Sequence, residues 1–323
     1  MPQRNQTRQS VRIVEVTDGD SGQRLDNFLH ALVRDAPRSL VYKIIRTGQV
    51  RINGKRCRPT HRLKTGDRVR VPPIHAAMYG PRSVPDWARE QVRDGLLFEN
   101  DSIVVINKPA GMAVHGGSGI AWGLIDVIRD LKPAADIELA HRLDRETSGC
   151  LLLGKGKAAA RALQNQFRNR VAVKSYLAML DGCLADSPVR VDAPLLRSER
   201  GGERISVVDR QGKPAVSVFK ILEHFRVGSF VEVSIETGRT HQIRAHAAHL
   251  GHAVAGDTRY GTSSQAAAWR DRGLRRLFLH AHALTVLDPQ GEPLSFSCPL
   301  PGELHSVLDQ LQAEWGSTDR SAG

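Results

Sequence analysis

Apolar residues along this chain change their spacing several times, and each change predicts an element. Leu25, Phe28, Leu29, Leu32 and Val33 recur at three- and four-residue intervals, which is one face of an α-helix. Pro37 ends that pattern, and Ser39 is a good N-cap for a second helix burying Leu40, Ile44 and Ile45, closed by Gly48. A short strand over residues 11–16 precedes this pair. Val50 and Ile52 begin another strand after it, Asn53-Gly54 turns the chain, and Gly66-Asp67 turns it again before Val69 and Val71. Residues 11–73 therefore read as a small domain of two helices and a hairpin. Residues 74–94 are rich in proline and poor in periodic apolar positions, which predicts a stiff linker.

A larger domain is expected over residues 95–312, followed by a polar tail at 313–323. Residues 103–106 form a strand that enters the turn Asn107-Lys108-Pro109-Ala110-Gly111. The apolar run 150–153 is a second strand, residues 158–167 a helix, and residues 174–180 a third strand. Shorter strands fall within 187–224. Residues 230–235 alternate cleanly and deliver Glu236-Thr237-Gly238-Arg239, after which Thr240 is expected to cap a helix striped by Ile243, Ala247 and Leu250 and ended by Gly251. Residues 277–284 and 294–296 look like closing strands. Strands and helices do not alternate regularly, so the fold class expected is α+β with a mixed, largely antiparallel sheet, joined to the small N-terminal α/β domain.

Composition changes this picture mainly through charge. The 323 residues carry a formal net charge of +12, which favours a polyanionic partner, because clustered cations gain by releasing counterions from phosphates. Between Arg38 and Arg70 there are eleven lysines and arginines against one acid, Asp67. That bias resembles the S4 RNA-binding module, and Arg38, Lys43, Arg46, Arg51, Lys55 and Arg58 are the expected phosphate contacts. Double-stranded RNA is read largely through shape and backbone, so many cations with few aromatics suits it. No apolar run approaches the roughly 20 residues of a membrane helix. The N-terminus lacks the apolar stretch of a signal peptide, so a cytoplasmic protein is expected. The four cysteines show no ligand spacing and are expected as reduced thiols. His280 and His282 share one strand face, but no acid or cysteine completes a metal set beside them, and no metal is expected.

Some motifs mislead. Gly149 to Lys155 fits GxxxxGK, yet Gly156 stands where a phosphate loop needs Ser or Thr, and three leucines occupy its middle. No GxSxG serine elbow occurs. Three other segments supply convergent chemistry. HRLDRETSG (141–149) places Asp144 between Arg142 and Arg145; KSYLAML (174–180) offers the phenol of Tyr176; ETGRTHQIRAH (236–246) offers Arg244 at a strand-to-helix turn. Glycoside hydrolysis normally needs two carboxylates, and only one stands out.

These segments, with NKPAGMAVHGG (107–117), GDTRYG (256–261) and RLFLHAHAL (276–284), resemble the RluA-type pseudouridine synthases in the same order along the chain. The resemblance implies the pseudouridine synthase fold and an isomerase without cofactor or metal. It would break the N-glycosidic bond of a uridine in 23S ribosomal RNA and rejoin the sugar to C5 of the base, as a monomer. It implies Asp144 as nucleophile or stabiliser of the detached sugar, and Tyr176 as the residue stacking on the base and a candidate for proton transfer. Arg244 would pair with the aspartate and hold it ionised. Arg142 would enter the RNA stack as the uridine flips out, Leu143 and Ile243 would wall off water, and His115 would help bind substrate. A non-catalytic ribosome-assembly factor and a base-removing hydrolase are the competing readings.

Overall fold

The computed structural model describes residues 11–33, 38–73, 84–116, 120, 122–288 and 290–319. The chain divides into two compact units, Met1–Ser83 with Gly116–Trp122, and Val84–His115 with Gly123–Gly323. The first unit contains β1 (Arg12–Glu15), α1 (Leu25–Leu32), α2 (Arg38–Arg46), β2 (Arg51–Ile52), β3 (Lys55–Arg56) and β4 (Arg68–Val71). Its four strands form an antiparallel sheet in the order β1-β4-β2-β3. Asn53 and Gly54 both take positive φ at the β2–β3 turn, the backbone that an Asn-Gly hairpin turn requires. The periodic face Leu25, Phe28, Leu29 and Val33 packs with Ile44, Ile45, Val50, Val69 and Val71 into one apolar core. Asp26 ties the two helices together, accepting from Arg24 and from the Tyr42 hydroxyl at 2.7 Å, and the Arg24 bond holds its carboxyl below the usual range. Pro37 and the Ser39 side chain lie outside the described residues.

The second unit begins earlier than the apolar pattern suggests. Residues 74–83 lie outside the described residues, but the later part of the expected linker is a helix, α3 (Asp86–Asp94). Only Ala88 and Val92 of this helix are buried, one turn apart, which is too sparse a stripe to read from the sequence. Arg89 pairs with Asp86 within the helix and fastens the helix to Asp130, at 2.6 Å each. Beyond it come β5 (Leu96–Glu99), β6 (Ile103–Lys108), α4 (Leu124–Leu131), β7 (Ile137–Leu139), β8 (Ser148–Lys155), α5 (Gly156–Arg168) and β9 (Val173–Asp181). Then follow β10 (Val189–Asp192), β11 (Leu195–Arg200), β12 (Glu203–Val208), β13 (Val216–Phe225), β14 (Gly228–Ile235), α6 (Gln242–His249) and α7 (Ser263–Asp271). The unit closes with β15 (Leu279–Leu287), β16 (Pro293–Ser297) and α8 (Gly302–Asp319). α8 continues through much of the expected polar tail, because Leu304, Val307, Leu308 and Leu311 anchor its first turns in the core.

A ten-stranded sheet organises this unit, in the order β10-β13-β14-β9-β15-β8-β6-β5, with β16 on β15 and β7 on β8. Its one parallel pairing is β15 with β8, so the sheet is mixed and largely antiparallel, as expected. The run Cys150 to Leu153 is buried throughout, as a strand covered on both faces should be. One apolar cluster joins Leu152, Leu163 and Leu284; another joins Met179, Trp269, Phe278 and the α8 leucines. Register sets Ser148, His280 and Leu177 side by side. The loop entering β8 thus lies level with Tyr176 on β9. β11 and β12 form a separate two-stranded sheet.

Candidate active site

The loop before β8 is held from both sides. Lys108, wholly buried at the end of β6, donates from Nζ to the carbonyls of Pro109 (2.7 Å), Met112 (2.8 Å) and Arg145 (3.1 Å). Burial, helped by the nearby Arg276 charge, pushes Lys108 down to about 7. Arg145 donates from Nε to the Gly111 carbonyl at 2.8 Å and pairs with Glu146 at 3.7 Å. His141 accepts from the Leu152 amide at 3.0 Å and stacks on Phe167 at 4.4 Å; burial pushes it down to about 3, so it stays neutral. After the loop, Ser148 Oγ accepts from Arg276 at 2.7 Å and contacts His280 Nδ1 at 2.9 Å. Backbone on either side of Asp144 is therefore fixed. The carboxylate itself accepts no hydrogen bond among the described residues.

Asp144 lines a cleft of about 440 Å³ together with Arg142, Leu143, Tyr176, Ile243 and Arg244. Five sequence-predicted residues thus gather around the aspartate. Leu143 and Ile243 are buried and give the cleft apolar walls. Tyr176 is 8% exposed; burial first, and the Asp144 charge second, push its phenol well above the ordinary tyrosine value. It is therefore a protonated donor at neutral pH, not a base. Arg142 is exposed at the cleft, with no ion pair or hydrogen bond among the described residues. His115 is exposed and does not line the cleft.

Two expectations need correction. Arg244 does not form its ion pair with Asp144. Its Nε and Nη2 donate to the two oxygens of Asp257, at 2.6 and 2.7 Å, in a buried bidentate pair. Asp144 feels Arg244 only through space. Thr240 is also not the cap of α6: His241 takes that place in a left-handed conformation, φ 52°, and makes no side-chain cap. The turn is instead organised by Gln242, whose Oε1 accepts from the Thr237 hydroxyl (2.7 Å) and the Arg239 amide (3.0 Å). Asp257 and Tyr260 are not legible in the sequence because their side-chain partners Arg244, His241 and Ser206 lie 13 to 54 residues away, and Lys108 is not because its partners are backbone carbonyls. A buried acid two residues before an arginine and three before a tyrosine carries no local signature.

On the first unit, Lys43 and Arg46 of α2, Arg51 of β2, Lys55 of β3 and Arg58 are exposed, and none forms a salt bridge among the described residues. Arg51 reaches the carbonyls of Gly48 and Gly54 at 3.4 and 3.3 Å. The side chain of Arg38 lies outside the described residues.

Comparison with known proteins places this arrangement. Residues 102–249 match the RNA pseudouridylate synthase family, and residues 23–69 match the S4 domain. Ribosomal large subunit pseudouridine synthase C of Salmonella typhi is 41% identical over 312 residues, covering 94% of this chain and 98% of that protein. The chain belongs to the RNA pseudouridylate synthase family. Escherichia coli (strain K12) has a similar pseudouridine synthase C, 42% identical over 94% of this synthase and 97% of its own length. Among solved structures, Human RNA Pseudouridylate Synthase Domain Containing 4 shares 28% identity at a TM-score of 0.58, covering 70% of this chain and 96% of that one. Human RNA Pseudouridylate Synthase Domain Containing 1 shares 29% at 0.54, covering 64% of this chain and 82% of that one. The synthase is thus an enzyme whose substrate is RNA, and its S4 domain is an RNA-binding module.

Proposed function

We propose that the cleft converts uridines of 23S ribosomal RNA into pseudouridine with Asp144 as the reactive carboxylate. The observation carrying this reading is that Asp144 is fixed through its backbone while its carboxylate keeps its lone pairs uncommitted beside two apolar walls. A carboxylate serving only a turn would accept from the amides that follow it. The names of the relatives in Salmonella typhi and Escherichia coli support the ribosomal large-subunit substrate. A ribosomal RNA substrate implies action in the cytoplasm. Monomeric action is part of the same proposal.

A stacked, paired uridine hides its C1′ and C6, so it must leave the helix before it reacts. Arg142, exposed and unpaired among the described residues, fills the vacated place in the stack. Tyr176 covers one face of the flipped base and offers an O–H donor. The N1–C1′ bond breaks, Asp144 bonds or shields the electron-poor partner, and the base rejoins through C5. One proton leaves C5 and one arrives at N1, so nothing is consumed. Leu143 and Ile243 exclude water, which favours rejoining over hydrolysis. Arg244 keeps a positive charge near Asp144 through the cycle, held by Asp257 rather than by the reacting carboxylate. Lys43, Arg46, Arg51, Lys55 and Arg58, with Arg38, grip phosphates around the target.

The test is unmodified 23S rRNA labelled with tritium at C5 of uridine. The reading expects tritium in water and pseudouridine in the RNA. Free uracil with abasic sites would mark a hydrolase, and binding without tritium release would mark an assembly factor.

A further inference from the structure

Two side chains of the short loop Gly256–Gly261 touch residues of the cleft without entering its lining. Neither Asp257 nor Tyr260 lines the cleft. Asp257 has a fully buried side chain whose two oxygens accept four hydrogen bonds. Two come from Arg244; the others come from the amides of Arg259 (2.9 Å) and Tyr260 (3.1 Å). The Arg244 guanidinium also lies over the Tyr260 ring, 5.0 Å from its centroid. Arg244 is thus held at its end by a carboxylate and on one face by a ring, both from a single loop. Gly256 makes this possible: with φ 75° it passes so close to the Arg276 carbonyl that no side chain would fit.

The Tyr260 hydroxyl reaches in a second direction. It accepts from the Ser206 amide at 2.7 Å and shares a hydrogen bond with His241 Nδ1 at 3.0 Å. Ser206 belongs to β12, and its Oγ donates to the Thr240 carbonyl at 2.7 Å. The hairpin β11–β12 has no partner in the large sheet, yet Leu195, Leu196, Arg197 and Ser206 line the cleft. One wall of the cleft therefore depends on a few attachments: the Ser206 bonds, the backbone pair between Leu195 and Lys213, the Arg259–Glu203 ion pair and the packing of Leu195 with Ala215, Ala245 and Tyr260.

We propose that Asp257 and Tyr260 are positioning residues of the synthase, Asp257 acting through Arg244 and Tyr260 through the β11–β12 wall. Asp257 fixes the charge that faces Asp144; Tyr260 fixes the surface that meets RNA flanking the flipped base. Their effects should separate. Losing the Asp257 charge lets Arg244 drift toward Asp144 and damages turnover. Losing the Tyr260 hydroxyl loosens the wall and weakens RNA binding, while the remaining ring keeps its packing.

This inference rests on the cleft being the uridine site, so Asp144→Asn is assayed alongside. Full-length protein and unmodified 23S rRNA are used, with kcat and KM from tritium release. Asp257→Asn is expected to lower kcat about tenfold or more with KM within about twofold, and to add less than about twofold in an Arg244→Lys background. Tyr260→Phe is expected to raise KM about fivefold with kcat within about twofold. Additive losses in the Arg244–Asp257 cycle, or an unchanged KM for Tyr260→Phe, would overturn the proposal. If Asp257→Asn fails to fold, the Tyr260→Phe result decides it. Wild-type turnover by Asp144→Asn would sink the reading of the site itself; an inactive Asp144→Asn with an additive cycle would sink only this inference.

Discussion

Three aspartates show how environment separates roles within one chain. Asp26 and Asp257 each accept four hydrogen bonds, and both are structural anchors. Asp144 accepts none on its carboxylate among the described residues, and it alone of the three lines the cleft. Lys108 is the counterpart on the cationic side, a buried ammonium given to loop carbonyls. Its proton is held at about 7 when folded and at an ordinary lysine value when unfolded. Between those values the unfolded chain binds the extra proton, so this group's contribution to stability rises with pH from about 7 to about 10.5, and its burial cost is complete below about 7. Lys108→Met should remove that rise whatever it does to absolute stability. Urea unfolding of both proteins at several pH values across this window checks it; parallel curves would contradict it. Asp144, Tyr176 and Arg244 were legible from their motifs. The Arg244–Asp257 pair was not, because it joins residues whose proximity only the fold creates. The same holds for Cys150 and Cys298, read as scattered thiols yet 3.0 Å apart in the core.

At the scale of elements, β8 carries the most constraint. Its first residues pair in parallel with β15, and Gly149, at φ 112°, lies directly against the Ala281 backbone where a methyl group has no room. That glycine resembled part of a phosphate loop in the sequence; its reason is strand packing. Gly149→Ala should cost about 3 kcal/mol or more, combining backbone strain with overpacking. Thermal unfolding measures this directly, and a shift within error of wild type would show that the two strands can separate locally. Continuous apolar runs and clean alternation made β6, β8, β9 and β14 readable. The helix α3 was missed because two buried side chains and a pair of salt bridges hold it, rather than an apolar stripe. The α6 boundary was missed because His241 adopts a conformation that residue type alone does not announce.

The whole molecule joins a reactive cleft to a strongly cationic module, and each half should answer to its own measurement. Replacing Lys43, Arg46 and Lys55 together with glutamine removes three exposed cations without touching the cleft. The slope of log affinity for rRNA against log salt should become shallower by about 2, with kcat at saturating RNA within about twofold of wild type. An unchanged slope would show that these cations do not meet phosphate. The division into a basic domain and an α+β domain was visible from charge and periodicity, and the ten-stranded order of the sheet was not, since pairing between distant strands leaves no local pattern. Unmodified 23S rRNA is incubated with wild type and with Asp144→Asn, and pseudouridines are mapped by carbodiimide treatment and primer extension. New stops at defined uridines are expected with wild type and none with Asp144→Asn, while both proteins bind the RNA equally. Equal stops from the two proteins would show that the chemistry does not depend on this carboxylate.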